Sequence, residues 1–191
     1  PCPEAILLKL QVLVMRFIGD DRGWPAPRLK DYNDLEKVLQ DGEIVKEKLY
    51  RQCCSFMRRL YQDCHLVHAD LSEYNMLVDR DSLVLIDVSQ SVEHDHPNAL
   101  DFLRIDCQNV LRFFSTCGLK TLSLRQLFEY IVTPDFYEAD AMKAFLEIQP
   151  EGYHEDAIFR DSYMATTLDD VVDVEREIVK GTDVNSLIIG V

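Results

Sequence analysis

Apolar and polar positions recur along this chain at two different periods, and the changes of period mark its elements. Ile6 to Ile18 is apolar and β-prone around Val12-Leu13-Val14-Met15, which predicts two short strands or one bent one. Gly19-Asp20-Asp21-Arg22-Gly23-Trp24-Pro25-Ala26-Pro27 then breaks regular structure. Lys30 to Val45 is polar and reads as loop or short helix. From Glu47 the period becomes helical, with Leu49, Cys53, Phe56, Met57, Leu60 and Cys64 along one face. Met76-Leu77-Val78 and Leu83-Val84-Leu85-Ile86 predict paired strands joined through Asp79-Arg80-Asp81. Leu100, Leu103, Cys107, Val110, Leu111 and Phe114 define a second helix face. A third helix is predicted after Ser123, where Gln126 completes a capping box, and it stops before Pro134. A fourth is expected after Thr167, with Asp170 in the box position, and ends near Gly181. Glu138 to Arg160 mixes helical and loop-like stretches, and Leu187 to Val191 is an apolar tail without an assignment. The order predicts an α+β arrangement and lacks the alternation that builds a parallel sheet.

Composition narrows this picture. With 191 residues and 47% apolar content, one domain or one large lobe is the default. No window approaches 18 uninterrupted apolar residues, so no membrane-spanning helix is expected, and no secretory signal opens the chain. Pro1 stands where a Met would begin a complete chain, which points to a fragment or a processed product. Twenty Lys and Arg against 34 Asp and Glu give a net charge of −14. That field disfavours non-specific binding to phosphate backbones or anionic membranes. Any RNA contact is therefore expected through local patches or partner proteins, and ATP requires a metal and local cations. Six cysteines are scattered without a C-x-x-C pair, so reduced, buried thiols of a cytosolic protein are expected ahead of a zinc site.

The chemistry concentrates in His68-Ala69-Asp70-Leu71-Ser72-Glu73-Tyr74-Asn75 and the later Ile86-Asp87. An Asp stands five residues before an Asn and seventeen before a second Asp, with a predicted hairpin between. This is the spacing of a kinase catalytic loop. Phosphoryl transfer needs magnesium to neutralise phosphate charge and a carboxylate to orient the attacking oxygen. Asp70 suits the second task, while Asn75 and Asp87 offer neutral and anionic oxygens suited to Mg²⁺. The bland alternative makes Asp70 and Asn75 turn and cap residues and Asp87 a strand end. His68 two residues before Asp70, and the apolar strand running into Asp87, favour the catalytic reading.

These segments, with Val88-Ser89-Gln90-Ser91-Val92, resemble the signature segments of the RIO family of atypical protein kinases. Glu93-His94-Asp95-His96-Pro97, Ala99-Leu100-Asp101-Phe102-Leu103-Arg104, Pro1-Cys2-Pro3-Glu4 and Pro25-Ala26-Pro27 resemble its first subfamily in particular. The resemblance runs from Pro1 to about Pro134 and returns more weakly between Tyr163 and Glu177; Asp41 to Val45 looks like added length. It implies a protein-kinase-like α+β fold. Residues 1–19 would be the remnant of N-terminal-lobe strands and the hinge. Residues 20–135 would form a mainly helical C-terminal lobe around the catalytic-loop hairpin, and 136–191 a partly helical extension. It further implies Asp70 as the catalytic-loop aspartate, with Asn75 and Asp87 as magnesium ligands. Asp87 would also be the carboxylate on which an aspartyl-phosphate can form. Met15 matches the gatekeeper, and Arg16 and Ile18 match hinge positions whose backbone groups bond adenine. The implied cofactors are ATP and Mg²⁺. The implied work is late cytoplasmic maturation of the small ribosomal subunit, among its precursor particles and assembly factors.

One departure stands against these matches. No glycine-rich phosphate loop, strand Lys or partner Glu precedes Met15, and Lys9 lies too close to the hinge for that part. The chain is thus expected to hold the hinge and one lobe, inactive alone, which keeps a non-catalytic pre-ribosome docking module as the alternative. Among weaker signals, His94-x-His96 reads as a turn ahead of a metal site. Arg58-Arg59 reads as a solvated helix face ahead of a pre-ribosomal contact, and Trp24 as a packed loop anchor.

Overall fold

The computed structural model describes residues 1–31 and 42–134. The expected fourth helix, the Glu138–Arg160 region and the apolar tail lie outside the described residues, as does most of the polar stretch after Lys30.

Ile6 to Ile18 resolves into two strands, β1 (Ala5–Lys9) and β2 (Val12–Met15). They pair antiparallel with Leu8 opposite Leu13 and Lys9 opposite Val12. Leu10 turns the corner at φ +55°. Both faces of this hairpin are exposed: Leu8 keeps 70% of its surface in solvent and Leu10 91%. After β2 the chain folds back on itself. Asp20 Oδ1 accepts from the amides of Arg22 and Trp24, and Gly19 bridges to Pro25. Gly19 has no room for a side chain, since a Cβ there would sit 2.2 Å from the Trp24 carbonyl oxygen. The Trp24 backbone is held, but its ring is 71% exposed, so the expected packed anchor is a backbone anchor only.

The core forms where three helices meet one hairpin. Helix α1 (Gly42–Gln62) buries Leu49, Tyr50, Cys53, Cys54 and Met57. Cys64, assigned to the same face by spacing, falls beyond the helix and is exposed. Strands β4 (Met76–Asp79) and β5 (Ser82–Leu85) pair from Met76 opposite Leu85 to Asp79 opposite Ser82. Arg80 and Asp81, both at positive φ, make the two-residue turn whose twist suits a hairpin. Two further pieces escaped the sequence reading because each is two residues long: β3 (Leu66–Val67) and β6 (Val92–Glu93), which pair with each other.

Helix α2 (Ala99–Thr116) buries Ala99, Leu103, Asp106, Cys107, Val110, Leu111 and Phe114, an unbroken stripe with one carboxylate in it. Helix α3 (Leu124–Val132) opens with the predicted box: the Gln126 amide donates to Ser123 Oγ, and Gln126 Oε1 accepts from the Ser123 amide. Tyr50 packs against Phe114 at 5.1 Å between centroids, and its hydroxyl accepts from the Leu122 amide. Each such fully buried large side chain contributes about 1.5–3 kcal/mol.

Arg58 departs from the expected solvated face. It is only 5% exposed and donates to the carbonyls of Tyr130, Thr133 and Pro134 at the end of α3. Arg59 beside it stays exposed, paired with Asp63. All six cysteines are free; Cys53, Cys54 and Cys107 are buried, and burial pushes the Cys54 thiol up to about 12. No helix among the described residues is long and apolar enough to cross a membrane.

Candidate active site

The hairpin brings the two ends of the constellation together. Because Met76 pairs with Leu85, the residues just outside the strands meet: the Ile86 amide donates to the Asn75 carbonyl at 3.0 Å. Asn75 and Asp87 therefore emerge at one end of β4 and β5. Asn75 Nδ2 donates to the Asp70 carbonyl at 2.9 Å and to Asp70 Oδ2 at 3.2 Å. The loop is closed further by the Asn75 amide donating to the Ser72 carbonyl. Three residues separated by spacing alone are thus one local cluster, with Asp70 and Asp87 exposed.

Each is held in a particular state. Asp87 has φ +60°, a left-handed conformation that Asp tolerates better than most residues and that often marks functional positions. Ser89 Oγ donates to Asp87 Oδ1 at 2.7 Å, and this bond holds the Asp87 carboxyl below its ordinary pKa, ionised at neutral pH. With Oδ1 bonded to Ser89 and the Asn75 nitrogen bonded to Asp70, Asp87 Oδ2 and Asn75 Oδ1 are the oxygens left to hold a metal. That sparse hard-oxygen set fits Mg²⁺, which is commonly held by one or two protein oxygens plus water and phosphates. Among the described residues no three His, Cys, Asp or Glu side chains gather as a metal site. His94 stacks on His65 at 4.7 Å, and His96 Nδ1 accepts from the Asn98 amide, a turn as expected.

Asp106 is the residue that spacing missed. Its carboxylate accepts from the Ala69 amide at 2.9 Å and the Leu71 amide at 2.8 Å, gripping the loop on both sides of Asp70. Ala69 needs that grip, since it sits at φ +64°. Asp106 is 1% exposed, and burial raises its pKa to about 6 against the pull of the two amides. A charged residue in register with the apolar stripe of α2 was the available signal. His68 is 2% exposed, and neither ring nitrogen meets a full hydrogen bond among the described residues. Burial lowers its pKa, so the ring is neutral and serves as packing under the loop.

Arg16 and Ile18, the residues matched to the hinge, lie in the strip after β2. The Arg16 amide donates to the Glu4 carbonyl, and the Ile18 carbonyl accepts from the Ala26 amide. These bonds leave the Arg16 carbonyl and the Ile18 amide facing no partner among the described residues. Met15 ends β2, half exposed at the edge of the hairpin.

Residues 1–127 match the RIO domain. This chain belongs to the RIO family. Its relatives include the serine/threonine-protein kinase rio1 of Schizosaccharomyces pombe, 47% identical across 98% of this chain and 38% of the yeast protein. The human serine/threonine-protein kinase RIO1 is 43% identical across 93% of this chain and 32% of its own length. The chain thus spans about a third of the length of the curated relatives it matches. A solved Rio2 kinase–ADP/Mg²⁺–phosphoaspartate complex from Chaetomium thermophilum aligns over 95% of this chain and 50% of its own, with TM-score 0.44 and 22% identity. The resemblance to the first RIO subfamily holds across nearly the whole chain. The α+β elements of this RIO domain, helices around a catalytic-loop hairpin, are the class expected of it.

Proposed function

We propose that this RIO chain carries the catalytic half of an ATP-dependent serine/threonine kinase or ATPase. The single observation behind this reading is the cluster of Asp70, Asn75 and an ionised Asp87 at one end of the β4–β5 hairpin. The open Arg16 carbonyl and Ile18 amide would receive the adenine edge, with Met15 beside it, and Asn75 and Asp87 would hold magnesium. When bound, the metal supplies charge neutralisation on the phosphates. The bond between the γ-phosphorus and its bridging oxygen breaks, ADP leaves, and phosphorus bonds either Asp87 or a protein hydroxyl. With a hydroxyl acceptor, Asp70 takes the proton. With Asp87, the acyl phosphate is then hydrolysed by water that Asp70 orients.

Residues 1–19 would then serve as the hinge edge, 20–135 as the lobe and 136–191 as an extension. The work we assign to the whole protein is late cytoplasmic maturation of the small ribosomal subunit. Asp87→Asn in the full-length protein keeps the shape but removes the anionic oxygen, and is expected to abolish both phosphoenzyme and turnover. Undiminished ATP hydrolysis in that variant would return the reading to a docking module.

A further inference from the structure

The catalytic loop is held from two sides, and only one of them is buried. Asp106 grips Ala69 and Leu71 from the core. The other end, Glu73 to Asn75, is exposed or half-exposed and carries the amide assigned to the metal. There the strip following the hinge reaches across. The Val78 amide donates to the Pro27 carbonyl, Arg28 bridges to Leu77, and the Lys30 amide donates to the Glu73 carbonyl at 3.1 Å. Lys30 Nζ then donates to the Tyr74 hydroxyl at 2.8 Å and lies 4.4 Å from the centre of the Tyr74 ring. Lys30 so touches two successive residues, by main chain and by side chain, immediately before Asn75. The same strip is anchored at its start by the Ala26 amide on the Ile18 carbonyl.

We propose that Lys30 is a positioning residue that clamps Tyr74 and thereby sets the Asn75 amide, tying the hinge to the metal-holding end of the loop. The proposal rests on the reading of Asn75 as a magnesium ligand. A loop of eight residues with a positive-φ Ala69 has backbone freedom that its internal bonds, from the Asn75 amide to Ser72 and from Asn75 Nδ2 to Asp70, do not remove. The Lys30 side chain is fully solvated, so its bond acts by geometry and by the charge it brings to the ring. In the Lys30–Tyr74 pair, the hydroxyl and the ring face make separable contributions.

The test uses the full-length protein with Lys30→Met, Tyr74→Phe and the double variant. Amide hydrogen exchange is read at Asn75, whose N–H bonds Ser72, and at Ile86, whose N–H bonds Asn75. Exchange at both is expected to quicken about three- to tenfold in Lys30→Met, less in Tyr74→Phe, and no further in the double variant. Leu71, held by Asp106, is expected to keep its rate. Unchanged exchange at Asn75, or a uniform rise that includes Leu71, overturns the clamp. In parallel, the Mg²⁺ concentration for half-maximal turnover is expected to rise by a similar factor while metal-free ADP affinity stays the same. An unchanged Mg²⁺ requirement also overturns the positioning claim. If the parent protein shows no Mg²⁺-dependent turnover, the kinase reading fails, and the exchange measurement still decides whether Lys30 orders the loop.

Discussion

At the scale of single residues, the site is a set of polar groups whose states are decided by a neighbour. The Ser89 bond holds the Asp87 carboxyl below its ordinary pKa, whereas burial holds that of Asp106 above it. The native pKa of Asp106, about 6, lies above the unfolded value of about 3.9. The native state therefore binds more protons between those values, and the contribution of Asp106 to stability falls as pH rises through that window. Asp106→Asn removes this proton uptake and turns an amide N–H toward one of the two loop amides. It is expected to cost about 1–3 kcal/mol. The stability gap between parent and variant should widen as pH falls from about 7 to about 5. Thermal unfolding at a series of pH values checks this, and a pH-independent gap would contradict it. Asp106 was legible only in part: its helical register was plain, but the two amides it grips belong to a loop 35 and 37 residues earlier.

At the scale of elements, helix ends carry the information. Ser123 and Gln126 satisfy the start of α3 within four residues, so the box could be read directly from the chain. The end of α3 is satisfied by Arg58 from α1, with Gln62 donating to the Ile131 carbonyl beside it. An Arg next to another Arg on a helix carries no mark of that duty. Arg58→Met is expected to cost about 1.5–3 kcal/mol, because carbonyls at a partly buried helix end lose a charged donor. Arg59→Met should stay within about 0.5 kcal/mol, its partner being an exposed pair. Chemical denaturation of the two variants separates them, and equal losses would show that the α3 cap has been misread.

At the scale of the whole molecule, an apolar hairpin faces outward. The hairpin of β1 and β2 displays Ile6, Leu8 and Val12 to solvent, and the strip proposed as the hinge follows it. The chain also spans about a third of its relatives and has a net charge of −14. Isolated residues 1–191 are expected to bind Mg-ATP at least about tenfold more weakly than the full-length protein, since one hydrogen bond to a charged group contributes about 1.5–3 kcal/mol. Calorimetry decides it; equal micromolar affinities for the two would mean that the described half suffices. Generic RNA should bind the isolated chain no tighter than about 10⁻⁴ M at physiological salt.

The sequence by itself determined what is local. Period, turn chemistry and capping residues placed the β4–β5 hairpin, the three described helices and the Asp70, Asn75, Asp87 spacing, and left Ile6 to Ile18 open between two strands and one bent one, because each depends on neighbours a few positions away. Tertiary structure alone decided what depends on distant partners. It joined Asp106 to the loop, Arg58 to the end of α3 and Lys30 to Tyr74, and it left Trp24 in solvent. The physical reason is that a polar side chain satisfies whichever donor or acceptor the fold delivers. That identity is a property of packing, and no periodicity along the chain records it.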